Sequence, residues 1–303
     1  MSTNKRTLKD WIIASRPWSF TASLIPVIAI TAYFFYLNRT TGLECNWTNA
    51  FLALPMLVFM QAAGNLIGDY YDHIRGVDLP GSLNQVRHIQ SGKFQPKEIL
   101  HYGYCCLAAA AVIGLVILSR SAWSEIWLGA CGVLMVWFYP WIKYHALGDV
   151  DVLLGYALLP ALGVSFVLTG EHHFETLLLS LPFGSLTVAI LHANNTRDIL
   201  NDHRAGIQTM CISVGGVASQ WIYVAELTLP YALILTFCTT HLLSYAALAT
   251  FVTLPLAMKH CRTMLQAAPL AEAPIGSLDQ QTAQLQMMFG LIFTASFIVA
   301  AFL

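Results

Sequence analysis

Two short polar runs interrupt an otherwise apolar chain, and both carry carboxylates at helical spacing. The first holds Asn65, Asp69 and Asp72, separated by four and three residues. The second holds Asn194, Asp198 and Asp202, separated by four and four. Those intervals place each set on one face of a helix. Adjacent carboxylates on one face repel, so at the end of an apolar helix they call for a counterion. A hard cation suits them. Mg²⁺, with Mn²⁺ as an alternative, takes oxygen ligands and commonly binds through carboxylates together with a substrate phosphate. Two such faces, with Arg and Lys nearby, would form a chelating cup for a diphosphate–Mg²⁺ complex. The competing reading is a pair of solvated helix ends. Negative charge at a helix C-terminus opposes the macrodipole, however, and here it occurs twice.

The elements that must position these residues follow from composition. Of 303 residues 57% are hydrophobic and only 10% are charged, whereas a soluble domain carries about 25% charged residues. The balance excludes disorder, a nucleic-acid binder and an ordinary soluble enzyme; the lipid bilayer is the natural surrounding. A spanning helix needs about 20 apolar residues. Nine segments meet that need: 17–37, 50–68, 101–119, 123–142, 152–169, 175–195, 217–239, 241–258 and 284–303. The expected fold is all-α, a multi-pass helical bundle forming a single domain over 1–303, with residues 1–16 as a short cytoplasmic arm.

With the N-terminus inside, the inner regions collect Lys5, Arg6, Lys9, Arg16, Arg75, Arg87, Lys93, Lys97, Lys143, Arg197, Arg204, Lys259 and Arg262, thirteen of the fifteen basic residues. Only Arg39 and Arg120 fall outside. The positive-inside rule therefore fixes the expected orientation and puts both acidic faces on the cytoplasmic side. The long polar loops after the second, sixth and eighth segments lie there too, where function tends to concentrate. The seven cysteines are scattered without metal-binding or disulfide spacing and read as packing residues.

At this level of detail the chain resembles the UbiA superfamily of intramembrane prenyltransferases. The family's first motif is matched by Asp69 and Asp72, with Gly68 in place of its leading Asn and Asn65 one turn upstream; its third carboxylate falls later, at Asp78. The second motif is matched by Asp198 and Asp202. Finer features resemble the 1,4-dihydroxy-2-naphthoate polyprenyltransferase (MenA-type) branch. These are Arg16-Pro17, Asp69 to Asp78, Gln90-Ser91-Gly92-Lys93, Lys143 to Asp149, and Asn194 through Thr209. The similarity covers essentially the whole chain.

The resemblance implies an Mg²⁺-dependent transfer of a polyprenyl group from polyprenyl diphosphate to 1,4-dihydroxy-2-naphthoate at the cell's inner (cytoplasmic) membrane. Diphosphate and CO₂ would leave, giving demethylmenaquinol. It implies Asp69, Asp72, Asp78, Asp198 and Asp202 as metal ligands, and Arg75, Lys93 and Arg197 as partners of phosphate oxygens. Asn65, Asn194 and Asn195 would hydrogen-bond ligand or metal waters, and Lys143 would pair with the naphthoate carboxylate. Asp149 is the candidate base for a naphthol hydroxyl, beside Asp151 and His145, although a helix cap explains it equally well. The apolar tail would lie in a groove open to lipid. Two alternatives stand beside this reading: a 4-hydroxybenzoate acceptor, or a transporter, against which the acids' position at one membrane face and the lack of a clear internal repeat both argue.

Overall fold

Thr7 and Asp10 close a capping box that starts α1 (Leu8–Ala14), a short helix with Leu8, Ile12 and Ile13 exposed and Ala14 buried. Such a helix suits a membrane surface. The chain then turns sharply at Arg16, whose φ of 57° lies in the left-handed region. A 3₁₀ turn, Pro17–Phe20, leads into α2 (Thr21–Thr41). The computed structural model describes residues 6–77, 88–268 and 275–303; Asp78 and Arg87 lie outside them.

Among the described residues, eight helical stretches are long and apolar enough to cross a membrane. After α2 come α3 (Trp47–Ile74), α4 (Pro96–Arg120) and α5 (Ile126–Lys143). The fifth crossing is composite: α6 (Gly148–Leu153), a π-helical turn (Leu154–Leu158), then α7 (Leu159–Thr169). Next is α8 (Glu175–Arg197), followed by two short helices, α9 (Ile199–Arg204) and α10 (Met210–Val214). α11 (Gly216–Thr239) and, at the end, α13 (Leu278–Ala300) complete the eight. The expected all-helical bundle is observed.

The segment expected at 241–258 differs from a regular span. It is a 3₁₀ helix, Tyr245–Thr253, running into α12 (Leu254–Gln266). Pro255 has no N–H with which to continue α-type bonding back into the preceding turn, and Thr250 and Thr253 hydroxyls bond the carbonyls three residues earlier, at 2.8 and 2.7 Å. Nine residues at the 3₁₀ rise cover about 18 Å, and α12 adds about 20 Å. The two together have the length of a ninth crossing.

α13 sits between α2 and α8, and the three contribute much of the main apolar core. Phe183 of α8 meets Phe289 and Phe293 of α13 edge-on at 5.9 and 5.2 Å between ring centres. Neighbouring helices are also tied by buried hydrogen bonds: Tyr223 to Thr282 at 2.7 Å, Tyr231 to Thr253 at 2.8 Å, and Gln286 Nε2 donating to Thr187 at 2.6 Å. Hydrogen bonds and close backbone approach are what join helices in lipid, where apolar burial gives little net drive. A second cluster joins α3 to α4 around Leu66, Ile67, Ile99 and Phe94. α5 stands outermost, with Pro140 its one buried residue and Trp127, Trp137 and Trp141 on the exposed surface.

At Gly290 α13 comes close against α2: a Cβ there would collide with Ile25 Cγ2. Gly290→Ala should therefore force the helices apart and cost about 1–3 kcal/mol. Gly129→Ala, where nothing lies within 4 Å, should be neutral. Thermal unfolding of the two variants in detergent checks the contrast.

Candidate active site

α3 runs on past the expected end at 68, so Asp69 and Asp72 belong to its last turns. α8 stops at Arg197, and Asp198, with φ −94° and ψ 7°, links it to α9, which carries Asp202. Both acidic faces open on one cavity of about 710 Å³. Asn65, Asp69, Asp72, Asn194, Asp198 and Asp202 all line it, as do Arg16 and Lys143. The rest of the lining is largely apolar and includes Met56, Leu57, Met60, Leu118, Met135 and Val164. Leu115, Ile126 and Leu134 line the same space and are also exposed on the outside of the bundle.

Asp69, Asp72 and Asp198 are each turned to a basic side chain. Arg16 pairs with Asp69. Lys143 Nζ lies 3.1 Å from Asp72 Oδ2, and the Tyr144 hydroxyl donates to Asp72 Oδ1 at 2.8 Å. Burial and the Asp72 charge both raise the Tyr144 phenol well above its usual range, so it remains a donor. Arg75, exposed, stands with its guanidinium 4.4 Å over the Tyr144 ring and does not line the cavity.

Arg197 is fully engaged. Its Nε and Nη2 donate to the two oxygens of Asp198 at 2.9 and 2.8 Å, and Nη2 also reaches Asn194 Oδ1 at 2.5 Å. Nη1 donates to the Gly276 carbonyl at 3.1 Å and to Asp279 at 3.0 Å. The residue expected at phosphate oxygens thus positions the acids and anchors α8 to the start of α13. Burial pushes the Asp202 carboxyl up to about 7; Lys143 and Arg197 oppose the rise, while Asp198 and Asp72 add to it.

Other expected residues lie apart from the cavity. Lys93 pairs with Asp10 at 2.5 Å and accepts from Arg6 Nε at its carbonyl, which ties the 88–94 loop to the N-terminal arm. Asn195 is buried and does not line the cavity. Asn65 lines it, but its amide donates to the Ser15 carbonyl and to Ser19 Oγ, both at 2.9 Å, and so holds the Arg16 elbow. Asp149 also lies outside the lining. It faces His192, whose Nδ1 is 3.8 Å from Asp149 and 3.4 Å from Glu226, and whose Nε2 meets Ser219 Oγ at 2.9 Å. Asp151, two residues on, does line the cavity.

Sequence reasoning missed Arg16 as the partner of Asp69, Tyr144 as a donor to Asp72, and Asp279 beneath Arg197. The available signals were slight: a tyrosine beside Lys143, and an acid one turn before the last apolar run. The loops carrying these residues are joined at Tyr144, where Gln208 N donates to its carbonyl at 3.2 Å and Ala146 N to the Gln208 carbonyl at 2.6 Å. Val77, Tyr144 and Ile207 form a small apolar cluster there.

As a donor set, carboxylates with flanking amide oxygens fit Mg²⁺. Among the described residues, no three acidic, His or Cys groups converge closely enough to hold a metal ion; Asp69, Asp72 and Asp198 are instead drawn onto basic partners. A charged end on an apolar cavity within a membrane bundle suits a molecule with an anionic head and a lipid tail. Residues 23–273 match the model of the UbiA prenyltransferase family, and the chain belongs to that family.

Relatives run the length of the chain. The UbiA prenyltransferase domain-containing protein 1 of Xenopus tropicalis is 30% identical over 306 residues, covering 98% of this chain and 84% of the relative. That of Mus musculus is 31% identical over 297 residues, covering 96% and 84%. Among solved structures, a UbiA homolog from Aeropyrum pernix K1 shares the fold at a TM-score of 0.68 and 15% identity, over 92% of this chain and 97% of that one. A UbiA homolog from Archaeoglobus fulgidus, bound to DMAPP and Mg²⁺, gives 0.59 and 14%, over 94% and 99%.

Arg197→Met should lower stability by about 3–5 kcal/mol, since it leaves Asp279 buried and uncompensated. Asp202→Asn removes one of several mutually repelling charges. Its thermal midpoint in detergent without divalent metal should equal or exceed that of the wild type, with prenyl transfer lost. Unfolding curves of both variants, beside an activity assay, check the pair.

Proposed function

We propose that this family member transfers a polyprenyl group from polyprenyl diphosphate to 1,4-dihydroxy-2-naphthoate, releasing diphosphate and CO₂ and giving demethylmenaquinol. The observation that carries the reading is the cavity: carboxylates and cations from α3, α5, α8 and α9 at one end, apolar side chains along the rest. A diphosphate head and an isoprenoid tail match that division. The acceptor assignment rests on the sequence motifs around Asp69 to Asp78, Lys143 to Asp149 and Asn194 to Thr209. We place the site on the cytoplasmic side of the cell membrane, from the thirteen basic residues that share that side.

Asp69, Asp72, Asp198 and Asp202 would hold Mg²⁺, joined by Asp78 from the third position of the family motif. When bound, Mg²⁺ supplies the positive charge that a leaving diphosphate needs. Arg16 and Lys143 then exchange their carboxylate partners for phosphate oxygens, Arg through a two-point fork and Lys through a point contact. Arg197 keeps Asp198 and Asn194 aimed at the cavity. Tyr144 steadies Asp72 while Lys143 moves. The apolar walls keep water from the allylic carbon as its C–O bond weakens, so that the acceptor ring captures it.

Purified protein supplied with polyprenyl diphosphate, 1,4-dihydroxy-2-naphthoate and Mg²⁺ should release diphosphate and form a prenylated naphthoquinol; EDTA should abolish both. Asp69→Ala and Asp198→Ala should each lose at least about 100-fold in rate, the scale seen when one transition-state charge partner is removed. Retention of full transfer by either variant overturns the site. A prenylated 4-hydroxybenzoate as the product overturns the acceptor, and solute flux into liposomes without a prenyl donor overturns the enzyme reading.

A further inference from the structure

Asp151 is a carboxylate with nothing to hold it. Its side chain is 7% exposed and lines the cavity, yet among the described residues no hydrogen bond or ion pair reaches it. Asp69, Asp72 and Asp198 have basic partners; Asp202, which like Asp151 has no side-chain hydrogen bond or ion pair among the described residues, belongs to the acidic face already assigned to the metal. A charge so far from water persists only where something else satisfies it. Two phenols share the cavity: Tyr139 and Tyr156 both line it. Tyr156 reaches across to α3, where a methyl at Gly64 would meet its hydroxyl at 4.0 Å.

The backbone accounts for this grouping. Residues 151 and 156 would stand about 140° apart on a regular α-helix. The π turn at Leu154–Leu158, in which Leu159 N bonds the Leu154 carbonyl five residues back, widens the helix and brings residues five apart toward one face. The Asp151 backbone is itself fixed by a 3.0 Å bond from its N–H to the Leu147 carbonyl. The result is one carboxylate in a cavity that two phenols also line, together with Lys143 and Asp72.

We propose that Asp151 is the catalytic base that binds the hydroxyl of the aromatic acceptor, with Tyr139 and Tyr156 enclosing the ring. The proposal rests on the aromatic prenyl transfer proposed above. The acceptor O–H proton passes to the Asp151 carboxylate as the ring carbon bonds to the allylic carbon and the C–O bond to diphosphate breaks, its electron pair leaving with the diphosphate. Loss of CO₂ from the attacked carbon returns an electron pair to the ring, and the ring oxygen takes its proton back from Asp151. Asp151 is regenerated, and no further reagent is consumed.

The test measures steady-state transfer with purified wild-type, Asp151→Ala and Asp151→Asn proteins, on the acceptor the wild type uses. Both variants should lose about 100-fold in kcat/KM for the acceptor, the usual scale for a general base, with KM for prenyl diphosphate within about twofold of wild type. Methylating the acceptor hydroxyl should cost the wild type a similar factor and cost Asp151→Ala nothing more. A ring-fluorinated acceptor, whose hydroxyl is more acidic, should restore at least about tenfold to Asp151→Asn, which a merely misfolded site would not permit. Unchanged acceptor kcat/KM overturns the proposal. So does a loss carried by KM for prenyl diphosphate, or one that fluorination leaves untouched. If the wild type prenylates no hydroxylated aromatic, the functional reading falls and this proposal with it; if the wild type does and Asp151→Ala matches it, only the role of Asp151 falls.

Discussion

A buried carboxylate in a membrane bundle is costly without a cation, and one residue supplies that charge for the largest part of the site. Arg197 grips both oxygens of Asp198, the side-chain oxygen of Asn194, the carboxylate of Asp279 and the carbonyl of Gly276. Its five contacts couple the end of α8 to the start of α13, which also packs close against α2 at Gly290. The acidic face of α8 is therefore fixed by the same helix that closes the core. Lysine could not substitute, because its point charge cannot satisfy two carboxylates and a carbonyl in one plane.

The same constraint orders the other half. Asp72 is held by Lys143 and Tyr144 from α5 and the loop after it, and Asp69 by Arg16 from the elbow before α2. Each acid takes its counterion from a different element, so pairing of charge also sets the register of helices that apolar contact alone would leave free to slide. α5 illustrates the point. It has one buried residue, and its inner end is secured through Lys143 and Tyr144. In the proposed reaction these pairs are also the exchangeable part: a metal-bound diphosphate offers cation to the acids and anion to Arg16 and Lys143 at once.

Much of this was legible in the sequence, because charge is so scarce in this chain that each acid near an apolar segment stands out. The spans followed from length and hydropathy, and the paired acidic faces from spacing. What escaped depends on partner choice. Arg197 and Lys93 looked equally available to a phosphate; one is spent on carboxylates around the cavity and the other on Asp10. Sequence shows the sign of a charge and not the direction in which its side chain is drawn. The 241–258 segment escaped for a different reason, since hydropathy does not distinguish a 3₁₀ rise from an α rise.

Asp149 and Asp151 show the same limit at its sharpest. Both are acids in the first turn of α6, and residue type gives no reason to prefer either. Two residues along a helix is a rotation of about 200°, so they must face opposite ways. Asp149 turns behind the wall toward His192 and Glu226, a buried cluster joined to Ser219 and Thr196. Asp151 turns into the cavity with no partner among the described residues. A carboxylate 3.8 Å from an imidazole, with neither oxygen hydrogen-bonded, is an enclosed part of the packing between α6, α8 and α11. One facing an open cavity has its compensation still to come, and the molecule able to bring it is the one that enters the cavity with a hydroxyl to donate.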